Sequence, residues 1–190
     1  MNIEELDEWF WIKEYDPEGR ELKNIVKLGD VKNKDVLIIG VYGSLAISFR
    51  VLKYVKSITT VNKNKELIKY CKNKTEDINF LYGDVSKLKF NDKTFDSIIS
   101  PWSAVHYKKN KSKIVKELKR VLKDNGTLLI EEADEASEYV KILNLIAPKR
   151  KLKIKERLAE LEKILKANFK IKKIKLKTYY YFKNINQFKG

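Results

Sequence analysis

A stretch between residues 35 and 55 constrains the fold of this chain more than any other. It opens with four consecutive apolar residues, Val36 to Ile39, followed by glycines at Gly40 and Gly43. The residues after these glycines repeat with helical period on one face: Leu45, Phe49 and Leu52. An apolar run without polar alternation is typical of a strand buried on both faces, as in parallel α/β sheets. The stretch therefore predicts a central strand, a tight turn and a helix.

The turn between this strand and helix is a candidate anion-binding site. We predict that Ser44 is the N-cap of the helix, because serine is favoured at that position. The first backbone N–H groups and the positive end of the helix dipole would then face an anion. Ligands of parallel sheets bind at the carboxyl ends of the strands, where this turn lies. The residues alone are compatible with a nucleotide or carboxylate pocket, and equally with a plain strand-to-helix connection.

Composition narrows the class of protein. The chain has 190 residues, of which 43% are hydrophobic, and this suits one domain with one core. The first residues are acidic and aromatic, unlike a signal peptide, and no apolar run would span a bilayer, so we expect a cytoplasmic protein without a membrane partner. Cys71 is the only cysteine and His106 the only histidine. We therefore expect no disulfide and no metal site, and we expect Cys71 to be a buried apolar side chain.

The net charge of +15 favours an anionic partner through long-range attraction. RNA is the leading polymer, and the basic cluster Lys149 to Lys155 is one candidate contact. Lysines occur in every segment, and a composition rich in lysine and isoleucine also arises from genome bias or a hot habitat. The charge therefore leaves both an RNA partner and a merely solvated surface open.

The remaining apolar patterns predict alternating strands and helices. Short apolar runs predict strands at residues 57–61, 78–81, 95–100 and 127–130. Helical periods predict helices at residues 3–12, 22–28 and 111–123, another around Leu67, Ile68 and Cys71, and a helical region at 135–168 split by Pro148. Asn125 or Gly126 is expected to take a left-handed cap at the end of the helix 111–123.

The last part of the chain has a different pattern. Lysine alternates with isoleucine or leucine from Phe169 to Lys177, and an aromatic run continues from Tyr179 to Phe182. These patterns predict two antiparallel closing strands. We divide the chain into residues 1–30, a helical lid or cover, and residues 31–190, which contain the sheet of the same single domain.

Four segments in this order resemble a class I S-adenosylmethionine-dependent methyltransferase: VLIIG, TTVNKNKELIKYC, LYGDVSKLKFNDKTFDSIIS and KIVKELKRVLKDNGTLLIEE. The resemblance covers about residues 31–133. It implies an α/β, single-domain Rossmann-like methyltransferase fold, with a mostly parallel seven-stranded sheet, its last strand antiparallel, and helices on both faces. It also implies S-adenosylmethionine as the cofactor. The methyl acceptor is not identified by the sequence, and we expect it to be anionic, either RNA or a small molecule.

The resemblance places several residues at the cofactor. Gly40 and Gly43 fall in the glycine loop beneath the methionine part, and Ser44 begins the helix that faces its carboxylate. Asn62 falls where the family usually has an acid for the ribose hydroxyls. Each of these residues follows, or lies just beyond, one of the first two strands.

Further residues are implied at the adenine and at the methyl group. Asp84, with Val85 beside it, falls where an acid meets the adenine amino group. Ser100 and Trp102 lie in the loop that flanks the transferring methyl group. His106 is the only side chain of this chain whose ordinary pKa suits a base at neutral pH, although its position also suits a surface or capping role.

Three departures from the family pattern leave the activity open, and the first is that the acidic residue usual at or near Ile38 is missing. Val41 and Tyr42 bring side chains to a loop where the family has glycines, and Asn62 replaces a carboxylate by a neutral amide. The lost contacts reduce the free energy of cofactor binding by about 2 to 4 kcal/mol, which weakens the affinity for the cofactor about a hundredfold or more. The chain is either a methyltransferase or an inactive methyltransferase-like fold that serves as an RNA- or protein-binding module. If the Tyr42 ring fills the space of the methionine carboxylate, the cofactor is excluded.

Overall fold

The computed structural model describes residue 16 and residues 18–40, 42–101, 109–134, 136–146 and 154–176. The strands are β1 (Asp35–Ile39), β2 (Ser57–Asn62), β3 (Ile78–Tyr82), β4 (Phe95–Ser100) and β5 (Leu122–Ile130). The helices are α1 (Arg20–Leu28), α2 (Tyr42–Val51), α3 (Lys65–Lys72), α4 (Lys111–Val121), α5 (Glu138–Ile146) and α6 (Ile154–Lys166), and a 3-10 turn, Leu52–Tyr54, follows α2. None of these helices has both the length and the apolar character needed to cross a membrane.

The sheet has the order β3-β2-β1-β4-β5, and every neighbouring pair of strands is parallel. β1 lies at its centre, with Val36 opposite Ile58 of β2 and Ser97 of β4. Residues 36–39 are completely buried, so the predicted central strand is confirmed. The chain builds the sheet outward from β1 in one direction and then in the other. The carboxyl end of β1 is therefore the topological switch point at which such sheets bind ligands.

An apolar layer covers each face of the sheet, as predicted. One layer joins Ile25 of α1, Ile47 of α2 and Leu67 of α3 to the sheet. The other contains Leu118 of α4 and Leu161 of α6. Because α1 contributes a core residue, the described residues before residue 30 pack into the same core as the sheet. The boundary drawn at residue 30 stays a prediction.

Cys71 lies in the first of these layers and is fully buried. Burial disfavours the thiolate and raises the pKa of its thiol to about 12. The prediction that Cys71 is a buried apolar side chain is confirmed, and its thiol stays protonated at neutral pH.

The predicted seven-stranded sheet is wrong for the described residues, which contain five strands and no antiparallel pair. Residues 170–176, expected as a closing strand, form no strand, and the side chains of Ile174 and Leu176 are 43% and 46% exposed. Alternation of apolar and polar residues gives a segment two faces, but a strand also needs a hydrogen-bonding neighbour. The aromatic run at residues 179–182 and the predicted helix 3–12 lie outside the described residues.

The junction between α4 and β5 also differs from the prediction. The helix ends at Val121, and neither Asn125 nor Gly126 has a positive φ, so the left-handed cap is wrong. The residues before Thr127 instead bulge out of β5, where the pairing with β4 shifts register. Gly126 is needed there for space. A Cβ at this position would lie 2.6 Å from Leu122 Cδ1 and 2.9 Å from the carbonyl oxygen of Asp96.

Candidate functional site

A glycine turn follows β1 at the switch point of the sheet. Gly40 has φ 151°, a backbone conformation that residues with a Cβ rarely adopt. α2 begins at Tyr42, so the prediction that Ser44 is the N-cap is wrong, and both Gly43 and Ser44 lie in the first turn of the helix. The first turn of α2 therefore lies at the carboxyl end of β1.

Asn62, the last residue of β2, is tied to this turn. Its side chain is buried, and its Nδ2 donates a hydrogen bond of 2.8 Å to the carbonyl oxygen of Gly40. Its Oδ1 accepts a hydrogen bond of 2.8 Å from the backbone N–H of Asn64. The Asn64 side chain in turn accepts from the N–H of Leu67, 3.0 Å away, and so caps α3. Both polar groups of the Asn62 amide are therefore used inside the protein.

Asp84 lies just beyond β3, at the same edge of the sheet. The backbone N–H of Gly83 donates to the carbonyl oxygen of Asn62, 3.0 Å away, which holds the two strand ends together. Asp84 accepts hydrogen bonds from Lys63 Nζ at 2.6 Å and from the N–H of Ser86 at 2.8 Å. These bonds, the one from Lys63 first, lower the pKa of Asp84 to about 2. Asp84 is thus an ionised acceptor at neutral pH, and its side chain is 44% exposed.

Val85 is half-buried and packs against the apolar layer that contains α4. It follows Asp84 directly, so packing of its side chain anchors the loop that carries the carboxylate. The prediction that Val85 lines the cofactor site stays a prediction.

Ser100 ends β4, next to the end of β5. The backbone N–H of Glu131 donates to its carbonyl oxygen, 3.1 Å away. Ser100 is fully buried, and its Oγ is one of two buried side-chain atoms in the described part of the chain that have no hydrogen-bond partner. Trp102 and His106 lie outside the described residues, as do Lys149 to Lys153 of the basic cluster and the ring of Tyr42.

Sequence reasoning missed a cluster around Arg50, which lies in the last turn of α2. Arg50 donates to Asp16 Oδ2 at 2.6 Å and to Glu21 Oε2 at 3.3 Å. Both carboxylates are buried, with side chains 3% and 1% exposed. Asp16 also accepts from the N–H of Arg20 at 2.7 Å, at the beginning of α1. An aspartate ahead of a helix is a recognisable capping signal, but nothing local indicates an arginine 34 residues further along the chain.

Glu131, the residue after β5, lies near this cluster. Its Oε2 is the other buried atom without a hydrogen-bond partner in the described part of the chain. Burial, followed by the negative charges of Glu21 and Asp16, raises the pKa of Glu131 to about 8. At neutral pH a mostly neutral carboxyl group therefore lies at the carboxyl end of β5.

Within the described ranges, no group of three or more acidic, cysteine or histidine side chains is arranged to hold a metal ion.

The structure thus brings the predicted residues of the first three strands to one edge. Gly40 and Asn62 are bonded to each other, and the loop carrying Asp84 is bonded to Asn62. A glycine turn with a helix beginning beside it suits an anionic or carboxylate group, and an ionised carboxylate accepts hydrogen bonds from an amino group.

Comparison with known proteins shows which family this part of the chain resembles. Residues 39–130 match the sequence pattern of a family described as a methyltransferase domain. That segment begins at the last residue of β1 and ends with β5, so it contains the glycine turn, Asn62, Asp84 and Ser100. The chain has no match among curated proteins.

Solved structures have the same fold. The YcgJ protein from Bacillus subtilis is 25% identical with a TM-score of 0.58, and the match covers 77% of this chain and 66% of YcgJ. A SAM-dependent methyltransferase from Aquifex aeolicus is 20% identical with a TM-score of 0.55, over 78% of this chain and 87% of that one. The 4+2 cyclase SpnF is 19% identical with a TM-score of 0.52, over 60% of this chain and 44% of that one. At these lower identities the last two likenesses concern the fold alone.

Proposed function

We propose that this protein, which carries a class I, Rossmann-like methyltransferase domain in residues 39–130, binds S-adenosylmethionine and transfers its methyl group to an acceptor. The observation that carries the proposal is the Gly40 turn, with φ 151°, at the switch point of a parallel sheet. A turn without side-chain atoms lets a ligand approach the backbone closely. The helix that begins beside it offers backbone N–H groups to the carboxylate of the methionine part.

Other residues fit the cofactor to different degrees. Asp84 fits, because its side chain is ionised and half-exposed. It would accept a hydrogen bond from the adenine amino group, either beside the hydrogen bond from Lys63 or in place of it. Val85 would lie beside the adenine ring. Asn62 fits the part of a ribose ligand less well, because its buried amide already uses one N–H on Gly40 and one oxygen lone pair on Asn64.

The acceptor would lie at the ends of β4 and β5. Bound S-adenosylmethionine supplies an electrophilic methyl group, so the protein mainly has to hold an acceptor in line with it. We propose that Ser100 and Trp102 line this side of the site and that His106 is a candidate to take a proton from the acceptor. Support for this comes from the buried, unpartnered Oγ of Ser100 at the end of β4.

A catalytically inactive binding module is the second candidate. The observation that favours it is the use of polar groups inside the protein, since Asn62 is tied to Gly40 and Asp84 to Lys63. SpnF, a cyclase, illustrates that this fold is not restricted to methyl transfer. Isothermal calorimetry with S-adenosylmethionine and S-adenosylhomocysteine, each up to millimolar concentration, tests whether the cofactor binds at all. A flat titration with no thermal shift would reject the proposal that the protein is an S-adenosylmethionine-dependent methyltransferase.

Asp84→Ala is expected to weaken cofactor binding about tenfold to a hundredfold, because the adenine amino group loses a charged acceptor. Calorimetry measures the change. Asp77→Ala is the matched control, since Asp77 is an exposed acid just before the other end of β3, and it should leave affinity unchanged. Since the pKa of Asp84 is about 2, its contribution should be constant from pH 5 to 8 and fall only in stronger acid. Equal affinities for wild type and Asp84→Ala would remove Asp84 from the site.

We also propose an anionic partner, with RNA as the leading polymer, on the basis of the net charge of +15. Binding to bulk RNA should weaken steeply between about 50 and 200 mM salt if several phosphates are neutralised. Replacing the basic residues of the cluster Lys149 to Lys155 by glutamine should flatten the plot of log affinity against log salt. An affinity that does not depend on salt would leave the lysines as solvated surface.

A further inference from the structure

The amide of Asn62 joins three elements at the edge of the sheet. It is the last residue of β2 and only 8% exposed. Its donor reaches the carbonyl oxygen of Gly40 after β1, and its acceptor holds the N–H of Asn64 at the beginning of α3. Through Asn64, which caps α3 at Leu67, the chain of hydrogen bonds continues into the helix. One side chain thus connects the glycine turn to the end of β2 and to α3.

The direction of the bond to Gly40 explains why the residue is an amide. An ionised carboxylate has no hydrogen to donate, so an acid at residue 62 would place its oxygen about 2.8 Å from the carbonyl oxygen of Gly40. Two acceptors at that distance repel, and burial makes the repulsion stronger. The contact thus holds the peptide of Gly40, whose φ is 151°, at a position where the backbone turns from strand to helix.

We propose that Asn62 is a positioning residue for the glycine turn and not a ligand of the ribose. The proposal rests on the proposed function and corrects one residue of the resemblance, in which this position serves the ribose hydroxyls. Asn62 acts on the cofactor through Gly40, by fixing the direction of the peptide beneath the methionine part. The ribose hydroxyls receive no hydrogen bond from residue 62.

The variant Asn62→Asp gives opposite results for the two roles. If residue 62 is a ribose ligand, a carboxylate should bind the hydroxyls at least as well as the amide does, and affinity should hold or rise. If it positions Gly40, the acid removes the donor and adds a buried charge. Affinity for S-adenosylhomocysteine, measured by calorimetry, is then expected to fall about tenfold or more. Equal or tighter binding by Asn62→Asp overturns the proposal.

Asn64→Asp is the matched control. It makes the same chemical change two residues away, and Asn64 uses its side-chain oxygen as an acceptor for the cap of α3. Aspartate caps a helix as well as asparagine does, so this variant should keep the affinity of the wild type. A comparable loss in Asn64→Asp would mean that added charge alone explains the result, and it would overturn the proposal.

A second measurement tests the proposal even if Asn62→Asp does not fold. Wild type and Asn62→Ala are each titrated with S-adenosylhomocysteine and with its 2′-deoxy and 3′-deoxy ribose analogues. For a positioning residue, removing a hydroxyl should cost the same factor in both proteins, within about twofold. A factor that is about tenfold smaller in Asn62→Ala would reveal a direct contact with the hydroxyl and reject the proposal.

The hydrogen bond itself is tested without cofactor. A scalar coupling across the bond from Asn62 Nδ2 to the carbonyl carbon of Gly40, measured by NMR in the free protein, is expected in the wild type, and its absence would reject the proposal. A wild type that binds none of the ligands would reject the proposed function, yet this coupling would still report on the contact between Asn62 and Gly40. The two failures are therefore distinguishable.

Discussion

Replacing Arg50 by methionine is expected to lower the free energy of unfolding by about 3 kcal/mol or more. Arg50 is the cation shared by Asp16 and Glu21, whose side chains are 3% and 1% exposed. Removing one partner of a buried ion pair leaves carboxylate charge in a place where water compensates it poorly, and typical costs are about 3 to 5 kcal/mol. In a chain of this length each kcal/mol lowers Tm by roughly 2 to 4 °C. Urea and thermal denaturation at pH 7 measure both quantities.

Arg20→Met is the control for this substitution. Arg20 is also an arginine paired with a glutamate, but its side chain is 45% exposed and that of Glu18 is 50% exposed. Exposed pairs of this kind contribute about 0 to 1 kcal/mol. If Arg50→Met and Arg20→Met have equal effects, the two buried carboxylates do not depend on Arg50.

Replacing Glu131 by glutamine is expected to stabilise the protein above neutral pH by about 2 to 4 kcal/mol. The Oε2 atom of Glu131 is buried without a hydrogen-bond partner among the described residues, and the pKa of the carboxyl group is raised to about 8. A shift of that size corresponds to at most about 5 kcal/mol, and relaxation and water entry reduce it. Glutamine keeps the shape of the side chain and removes the charge. Denaturation curves at pH 8.5 compare the two proteins.

The raised pKa of Glu131 fixes the direction in which stability changes with pH. An unfolded glutamate ionises near its ordinary pKa of 4.5, whereas in the folded protein Glu131 ionises only near pH 8. The unfolded state therefore loses its proton first as pH rises, and the wild type loses stability progressively between about pH 4.5 and 8. The difference between Glu131→Gln and wild type should be near zero at pH 4.5 and largest above pH 8.

Glu138→Gln is the control for the loss of one negative charge. Glu138 is exposed in the first turn of α5, so its replacement should change stability by no more than about 0.5 kcal/mol at any pH. A wild type as stable at pH 8.5 as Glu131→Gln would mean that the Glu131 carboxylate has a partner when ionised. Since natural proteins keep destabilising buried acids chiefly at functional sites, measuring cofactor binding by the same variant is a useful extension.

Local sequence patterns predicted much of the fold of this chain. The apolar run Val36 to Ile39 predicted the central strand because a strand buried on both faces lacks polar alternation, and residues 36–39 are fully buried. The helical period after Gly43 predicted α2, and the apolar face around Ile114 and Leu118 predicted α4. Gly40 was placed correctly in a turn that needs glycine, because the change from strand to helix marks that turn in the sequence. The order of these segments was enough to predict the match of residues 39–130 to a methyltransferase domain.

Tertiary structure decided what depends on residues far apart in the chain. Pattern alone predicted closing strands in residues 169–182, but among the described residues none pairs with residues 170–176, and a strand is a property of two segments. The helix 111–123 was predicted two residues too long and with a left-handed cap, because the contact of Gly126 with Asp96, 30 residues earlier, is absent from any local signal.

For the same reason the partners of the polar side chains at the candidate site were not predicted. Asn62 was predicted as a weakened ribose ligand from its place after β2, and only the folded chain shows its amide bonded to Gly40, 22 residues earlier. Neither composition nor period indicated the ion pair between Arg50 and Asp16, which are 34 residues apart. The same is true of the buried Oε2 of Glu131. Sequence period reports which face of an element is apolar. The partner of each polar group is set by how the elements pack, and the chemistry of this site depends on those partners.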